Sequence, residues 1–520
     1  MTAPTAVTTA GLVSGVRERG AIAFKGVPYA EAPIGHLRYS LPQAPRPWEG
    51  VRPCDTTAPR SMQGSARRGQ AAVQLRQSED CLYLNVWTPA LDGARPVVVY
   101  VHGGGYVLGS GSEDFQAGDA YAGDDVILVT FNHRLSALGF LHIDELFDGL
   151  EGTGNLGLYD TIRVLEWVQD NIASFGGDPA RVTIAGHSSG GVTITALLAS
   201  PLARGLFRGA IPISSASGHS WIESDTATAV ARTVLESLDI VAGDLDGLLG
   251  RPAESLVLAP ELLHELYSVA GGHPFSPVVD GRLLSGPPIE AIRDGAGADV
   301  DLLVGHMDEE FRLCIFDDNG QVRNPPLNMG VTSDGFEHWR LAAATGLPSD
   351  AVLEVYERSL QAHGREVSDP EIFSMMASDV VMLNPGAALA VAHQAQRRGA
   401  TWAYRFAWRP PAGGGKVGAC HGIDIPYFFE HLDAPFWAPL YQGQGNATLA
   451  TRYRKAMTSM AATGSPGHAD LPVWPPYSAD RRATMVFAEE CAVVDDPDGD
   501  RRRLWDNAPP YGYPGSIGNR

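Results

Sequence analysis

Cysteine is scarce in this chain, which has five among its 520 residues. The number is odd, and the spacing of the five fits no metal-site pattern. Few cysteines without such a pattern are typical of a reducing compartment. We therefore expect a cytoplasmic protein with no metal site.

Long apolar runs are missing too. We find no stretch of about 18 apolar residues, the length that a membrane-spanning helix needs. The opening residues, "MTAPTAVTTAGLVSG", show no basic segment followed by an apolar one, which would mark a signal peptide. We expect neither a membrane span nor a secretion signal.

Basic residues are outnumbered, with 39 Lys and Arg against 60 Asp and Glu, and the formal net charge at pH 7 is −21. Such a field repels phosphate groups, which argues against nucleic acids and anionic membranes as partners. Small neutral or cationic ligands are not repelled. The length and the 44% hydrophobic content suit one large α/β domain or two to three ordinary ones.

Strand-like and helix-like segments alternate in the first 220 residues. Residues 95–104 and 124–134 are continuous apolar runs rich in Val and Ile, a pattern that predicts strands buried on both faces. Residues 159–177 have apolar positions at helical spacing and end at a Gly pair. A further strand over 181–186 and a helix over 191–201 follow. This alternation predicts a parallel sheet.

The segment "VTIAGHSSGG" lies on the tight turn between that last strand and helix. Gly186 and Gly190 lack a Cβ, so the chain can fold back sharply and expose the central Ser188 above the sheet. A frame centred on Ser189 would need a glycine where His187 stands. The pattern predicts a nucleophilic Ser188, and the alternative is an ordinary solvent-capped turn.

A glycine-rich loop follows the strand at residues 95–104. In "YVHGGGYVLGSG" the three consecutive glycines leave bare backbone N–H groups that can approach a substrate oxygen. The alternative is a phosphate-binding loop, but the Lys and the helix of a P-loop are missing. We interpret the loop as part of an oxyanion hole.

Several long segments now carry a resemblance. "FKGVPYAEAPIGHLRY", "SEDCLYLNVWTP", "VHGGGY", "GNLGLYDTIRVLEWVQDNIASFGGDPARVTIAGHSSGG" and "LPVWPPY" resemble, in order and spacing, the type-B carboxylesterase family of the α/β-hydrolase fold. The similarity runs from about residue 10 to 505 and is strongest to bacterial para-nitrobenzyl-esterase-like members.

The resemblance implies the fold and the reaction class. It implies one catalytic domain over residues 1–520, with a large, mostly parallel central sheet, helices on both faces and an antiparallel N-terminal part. It further implies a carboxylesterase that uses a Ser-His-Glu triad and an acyl-enzyme and needs no cofactor. We expect a monomer or a small homo-oligomer.

The acid and the base of the triad follow Ser188 in the chain. A predicted strand ends near Val304 and is followed by three acids, Asp308, Glu309 and Glu310, among which the residues alone do not decide. The resemblance implies Glu310. It likewise implies His421, in "CHGIDIPYFF", as the base.

The resemblance also implies supporting residues. The backbone N–H groups of Gly104, Gly105 and Ser189 would form the oxyanion hole, and Ser215 matches the family serine that hydrogen-bonds the triad acid. The glycine that follows this serine in the family is Ala216 here.

A departure from the family concerns sulfur. Secreted relatives join the cysteine at Cys81 to one a short distance upstream, but that upstream position reads Ser61 here, and Cys54 lies seven residues earlier. We therefore expect all five cysteines to be free.

The substrate is the least determined feature. Tyr106, Met307 and Phe311 lie near the motifs and are apolar or aromatic, which predicts a pocket for small neutral esters. A carbamate or amide hydrolase with the same triad is the alternative, and a non-enzymatic interaction module is a remote one.

Overall fold

The structure of the chain is a computed structural model that describes residues 3–64, 76–257, 262, 266, 273–323 and 348–506. It contains many short strands. The strands in these residues are β1 (Thr5–Thr8), β2 (Gly11–Ser14), β3 (Val16–Glu18), β4 (Ala21–Pro28), β5 (Val51–Pro53), β6 (Tyr83–Thr88), β7 (Arg95–Val101), β8 (Ile127–Phe131), β9 (Gly177–His187), β10 (Gly209–Ile213), β11 (Ile222–Glu223), β12 (Val278–Val279), β13 (Asp301–Met307), β14 (Thr401–Phe406), β15 (Ala483–Phe487) and β16 (Ala492–Asp495).

Eleven of these strands form one central sheet in the order β16-β15-β14-β13-β10-β9-β7-β8-β6-β4-β3. The strands from β15 to β8 run parallel to one another, whereas β16 at one edge and β6, β4 and β3 at the other are antiparallel. The predicted α/β-hydrolase fold, with a mostly parallel sheet and an antiparallel N-terminal part, is confirmed.

Both faces of this sheet are buried. Along β7, Val97, Val99 and Val101 belong to one hydrophobic cluster, while Val98 and Tyr100 belong to a second cluster on the opposite face. Alternate side chains of a strand point to opposite faces, so an unbroken apolar run is what a two-sided core requires. This explains why residues 95–104 read as a continuous hydrophobic segment.

Helices cover the two faces. In the described residues the α-helices are Asp119–Gly123, Ser136–Phe140, Leu156–Asn171, Ser189–Ala199, Ser224–Ser237, Leu245–Leu249, Pro288–Arg293, Arg312–Ile315, Ser349–Ala362, Asp369–Ser378, Asn384–Gln394, Ile425–Phe429, Ala438–Tyr441, Ala447–Thr463 and Gly499–Trp505. Short 3₁₀ turns lie at Gly35–Leu37, Asp114–Gln116, Thr153–Asn155, Ile172–Phe175, Pro201–Ala203, Ala253–Leu256 and Ala412–Gly415.

One long helical stretch is more apolar than the sequence analysis expected. A π-helical segment, Asp379–Leu383, joins two α-helices into a single stretch, Asp369–Gln394, whose most apolar 18 residues have a mean hydropathy of 1.4. By length and composition it could cross a membrane, so the expectation that no such stretch exists is wrong. Of these 18 residues, 78% are buried inside the protein. Helices in the core of a protein can be equally long and apolar.

The strand ends bring the candidate site together. Because β9, β10, β13 and β14 are parallel neighbours, the segments that follow their carboxyl ends meet at one edge of the sheet. Ligand sites of open α/β sheets lie at this edge. The predicted positions 188, 310 and 421 all follow one of these strands.

Candidate active site

The turn at Ser188 has the geometry that its glycines predict. Ser188 links β9 to the helix Ser189–Ala199 with φ of +59° and ψ of −122°, which is unusual for a residue with a side chain. A Cβ on Gly190 would lie 2.2 Å from the Val101 carbonyl oxygen, and one on Gly186 would lie 2.9 Å from Gly190. Only glycines fit on either side of this strained serine.

Three side chains from separate parts of the chain form a hydrogen-bonded series. Nε2 of His421 lies 2.9 Å from Oγ of Ser188, and Nδ1 of His421 lies 2.7 Å from Oε2 of Glu310. Glu310 follows β13, and His421 follows β14 after the loop that contains the turn Ala412–Gly415. The structure thus brings together all three predicted triad residues.

Glu310 is almost wholly buried, with 1% of its surface exposed. Burial raises the pKa of a carboxyl group, but His306 and His421 more than offset it here and hold the pKa of Glu310 well below its usual range. Its Oε1 also accepts a hydrogen bond of 2.9 Å from the backbone N–H of Met307. The carboxylate is therefore ionised beside the imidazole.

The two neighbouring acids are engaged elsewhere. Asp308 faces Arg405 at 3.4 Å. Glu309 is 2.9 Å from Arg365 and accepts a hydrogen bond of 3.0 Å from the backbone N–H of Ala419. Within the described residues, Glu310 is the acid of the three that contacts the histidine.

The glycine loop packs directly against the serine turn. A Cβ on Gly103 would lie 2.7 Å from the His187 carbonyl oxygen and 3.0 Å from Cβ of Ser188. Gly104 has φ of +122°, and a Cβ there would lie 2.1 Å from the carbonyl oxygen of Leu108. The loop can approach Ser188 closely because it carries no side chains at these positions.

Ser189 begins the helix beside this loop. Its Oγ accepts a hydrogen bond of 3.4 Å from the backbone N–H of Tyr106. The first N–H groups of a helix have no partner within it and carry its positive dipole end. The predicted donors Gly104, Gly105 and Ser189 therefore lie on two adjoining backbone segments next to Ser188.

A second buried pair lies behind the histidine. The ring of His187 is 4.6 Å from the ring of His421, and its Nε2 is 3.6 Å from Oδ1 of Asp424. Burial lowers the pKa of His187 well below its usual range and raises the pKa of Asp424 to about 7. The sequence analysis missed Asp424, although it stands three residues after His421.

The hydroxyl of Ser215 lies against Ser217 in the structure. It lies 3.4 Å from the Ser217 hydroxyl and accepts a hydrogen bond of 3.3 Å from the Ser217 backbone N–H. Among the described residues, no hydrogen bond joins it to Glu310. The side chain that approaches Oε1 of Glu310 is His306, which the sequence analysis also missed.

The three predicted pocket residues are buried. The Tyr106 ring packs 4.5 Å from that of Phe140, and its hydroxyl lies 3.3 Å from Oγ1 of Thr193. Met307 and Phe311 lie in two separate hydrophobic clusters. Tyr106 belongs to a third cluster, so the three residues pack into different parts of the core.

No group of three or more His, Cys, Asp or Glu side chains that could hold a metal ion occurs in the part of the chain that the structure describes. The chemistry that the arrangement supports is that of an activated serine hydroxyl. It has a base within hydrogen-bonding distance, an ionised acid behind the base and backbone donors nearby.

The chain is similar in sequence to known hydrolases over almost its whole length. A family model described as "Carboxylesterase family" matches residues 2–505. The para-nitrobenzyl esterase of Bacillus subtilis (strain 168) is 33% identical over 515 residues, which cover 97% of this chain and 98% of the relative. The phenmedipham hydrolase of Pseudarthrobacter oxydans is 33% identical over 506 residues, covering 95% and 97%.

Solved structures agree with these relatives. The crystal structure of a Geobacillus stearothermophilus carboxylesterase at pH 6.2 has a TM-score of 0.83 and 33% identity, and it covers 96% of this chain and 100% of its own. A thermophilic PNB esterase has a TM-score of 0.83 and 32% identity, with 97% and 100% covered.

Proposed function

Because this chain belongs to the carboxylesterase family and is a serine ester hydrolase, we propose that it cleaves small, uncharged esters with Ser188, His421 and Glu310. The observation that carries the proposal is the continuous series from Ser188 Oγ through the imidazole to Glu310, with contacts of 2.9 and 2.7 Å. We place the activity in the cytoplasm, supported by cysteines that are all free thiols.

The first step follows from the tautomer of the imidazole. Nδ1–H of His421 donates to Glu310, so Nε2 presents its lone pair to the Ser188 hydroxyl. When the serine oxygen attacks the ester carbonyl, the histidine takes its proton as a general base. The buried carboxylate then stabilises the imidazolium that forms.

The tetrahedral intermediate carries a negative oxygen. The backbone N–H groups of Gly104, Gly105 and Ser189 are the donors that we assign to it. They stabilise a charge that is absent from the substrate, and losing one such donor typically raises the barrier by about 3 kcal/mol. Glycine at two of the three positions keeps the backbone accessible.

The intermediate then collapses. The imidazolium of His421 protonates the leaving alkoxide, and the acyl group stays on Ser188. Water replaces the alcohol, gives its proton to the same Nε2 and attacks the acyl-enzyme. The second tetrahedral intermediate expels the Ser188 oxygen, which takes the proton back from the imidazolium, and the acid product leaves.

The substrate class follows from the leaving group and the charge. An alkoxide or phenolate leaves an ester readily, whereas an amide nitrogen must be protonated first, so this triad favours esters. The net charge of −21 disfavours polyanionic substrates through a field that salt screens. Apolar residues such as Tyr106 and Phe311 favour an uncharged acyl or aryl group.

A carbamate hydrolase is the second candidate. The observation that favours it is the phenmedipham hydrolase among the relatives. The carbonyl carbon of a carbamate is an electrophile that Ser188 can attack in the same way. The triad alone therefore does not distinguish an ester hydrolase from a carbamate hydrolase.

A substrate panel tests the proposal. Para-nitrophenyl esters of increasing acyl length are compared by kcat/KM with a matched carbamate and a matched anilide, with Ser188→Ala as the control for uncatalysed hydrolysis. We expect the highest kcat/KM for short acyl chains and little cleavage of the anilide. A maximum at long chains would indicate a lipase, and an anilide cleaved as fast as its ester would indicate an amidase.

A further inference from the structure

We propose that His306 is a positioning residue that holds the triad acid from the side opposite His421. This inference rests on the proposed roles of Ser188, His421 and Glu310. It assigns a second histidine to the carboxylate.

The position of His306 is set by two elements. It lies on β13, four residues before Glu310, and its side chain is only 8% exposed. The ring packs against Gly386, where a Cβ would lie 1.8 Å from Nε2. Because no larger residue fits at Gly386, the helix Asn384–Gln394 provides a slot for this imidazole.

The imidazole is unusually free of partners. Neither ring nitrogen of His306 has a hydrogen-bond partner among the described residues. A buried polar group without a partner is costly and is seldom kept without a role. The nearest charged group is Glu310, whose Oε1 lies 3.7 Å from Nδ1.

His306 and His421 face different oxygens of the Glu310 carboxylate. Oε2 points to His421, and Oε1 receives the N–H of Met307 and faces His306. A triad carboxylate orients the imidazole only while its own plane is fixed. Attraction at Oε1 therefore keeps Oε2 directed at His421.

His306 also lines a small cavity of about 60 Å³, whose lining has both apolar and charged side chains. Asp379, Asn384, Arg405 and Asp498 also line it. A buried water needs roughly 10–15 Å³ and two to four polar partners, so the cavity has room for several waters.

Two substitutions of nearly equal shape separate positioning from packing. His306→Asn keeps an N–H donor near the place of Nδ1, whereas His306→Leu has the same branching and no donor. We expect Leu to lower kcat about tenfold with KM changed less than twofold, and Asn to restore at least half of kcat. Equal losses in both variants, or full activity with Leu, would overturn the proposal.

A spectroscopic readout and a double-mutant cycle complete the test. The low-field NMR resonance of the His421 Nδ1 proton should move in the Leu variant and return in the Asn variant. In a Glu310→Gln background, His306→Leu should have no further effect on kcat, because the carboxylate through which it acts is gone. If the two losses multiply instead, His306 does not act through Glu310.

Two outcomes distinguish this inference from the proposed function. Full activity in Ser188→Ala or Glu310→Gln would overturn the triad itself. Loss of activity in those variants with none in His306→Leu would overturn only the role of His306. Should the Leu variant not fold, His306→Gln replaces it, since its amide lies near the place of Nε2 and leaves the Nδ1 position empty.

Discussion

Ser61 lies against Cys81, with its hydroxyl 3.3 Å from the sulfur. Both residues are buried, and burial raises the pKa of the Cys81 thiol to about 12. In secreted relatives, the position of Ser61 holds a cysteine that pairs with the one at Cys81. The short distance between Ser61 and Cys81 agrees with this expectation. The two side chains are therefore neighbours, but only Cys81 carries a sulfur atom.

The first prediction restores that sulfur. Ser61→Cys should form a disulfide with Cys81 on mild oxidation, because the two side-chain atoms are already within about 1.3 Å of an S–S bond length. Thiol titration of the denatured, unreduced variant should find four of its six cysteines, whereas the parent chain should titrate all five.

Closing this loop of about 20 residues should add roughly 3 kcal/mol to the free energy of unfolding under oxidising conditions. The control is the double variant Ser61→Cys, Cys81→Ala, which should titrate every thiol that it contains. A parent chain with only three titratable thiols would mean that two of its own cysteines are paired.

The second prediction concerns the nucleophile and the base. Ser188→Ala and His421→Ala should each lower kcat on a para-nitrophenyl ester by about 10⁴-fold or more, since triad members act as a unit. An organophosphonate should leave one adduct, found by mass spectrometry on the peptide with Ser188. His187→Gln should keep most activity, because its Nε2 faces Asp424. An adduct on Ser189, or equal losses in both histidine variants, would contradict the assignment.

The third prediction is that substitution of Glu310 lowers activity, whereas substitution of the adjacent Glu309 lowers stability. Glu310→Gln should lower kcat by about 10⁴-fold, because the amide no longer selects the productive tautomer of His421. Glu309→Gln should keep most of kcat but lower the free energy of unfolding by roughly 1–3 kcal/mol, since a buried carboxylate that faces Arg365 and Arg409 is lost. The loss is limited because Arg365 also contacts Glu371. Activity assays and urea unfolding of both variants give the comparison, and the reverse order would move the triad by one residue.

The features that sequence alone predicts are local ones. The turn at Ser188 needs a strand, two glycines and a helix within about 25 residues, and all of them stand in the sequence. The helix predicted over 159–177 is found as Leu156–Asn171 followed by the turn Ile172–Phe175, so its existence was right and its ends differ by a few residues. Ends depend on capping and packing more than on periodicity.

The features that sequence missed depend on distant contacts. Which of three adjacent acids meets His421 is set by Ala419 and two arginines that engage Glu309, over 50 residues downstream. The pKa of Asp424 is raised mainly by burial, which only the folded chain produces. Residue type and spacing do not show which side chains become buried.

The last prediction uses the pH dependence of stability at Asp424. Its Oδ2 accepts a hydrogen bond of 2.7 Å from Tyr453, its Oδ1 has no hydrogen-bond partner among the described residues, and burial raises its pKa to about 7. The carboxyl of an unfolded chain titrates near pH 3.9, so between roughly pH 4 and 7 the folded state binds the additional proton. The stability that this proton provides is fully present below pH 4 and is lost as the pH rises through 7.

Asp424→Asn keeps an uncharged acceptor for Tyr453 and should abolish this loss. Relative to the parent chain, its free energy of unfolding should therefore rise between pH 4.5 and pH 8, by roughly 1–4 kcal/mol, since each unit of pKa difference is worth about 1.4 kcal/mol. Urea unfolding of both proteins at the two pH values measures the difference, and the exposed Asp433→Asn gives the baseline for removing one charge. A difference between Asp424→Asn and the parent chain that stays constant across this range would show that Asp424 is already ionised in the folded protein at pH 4.5.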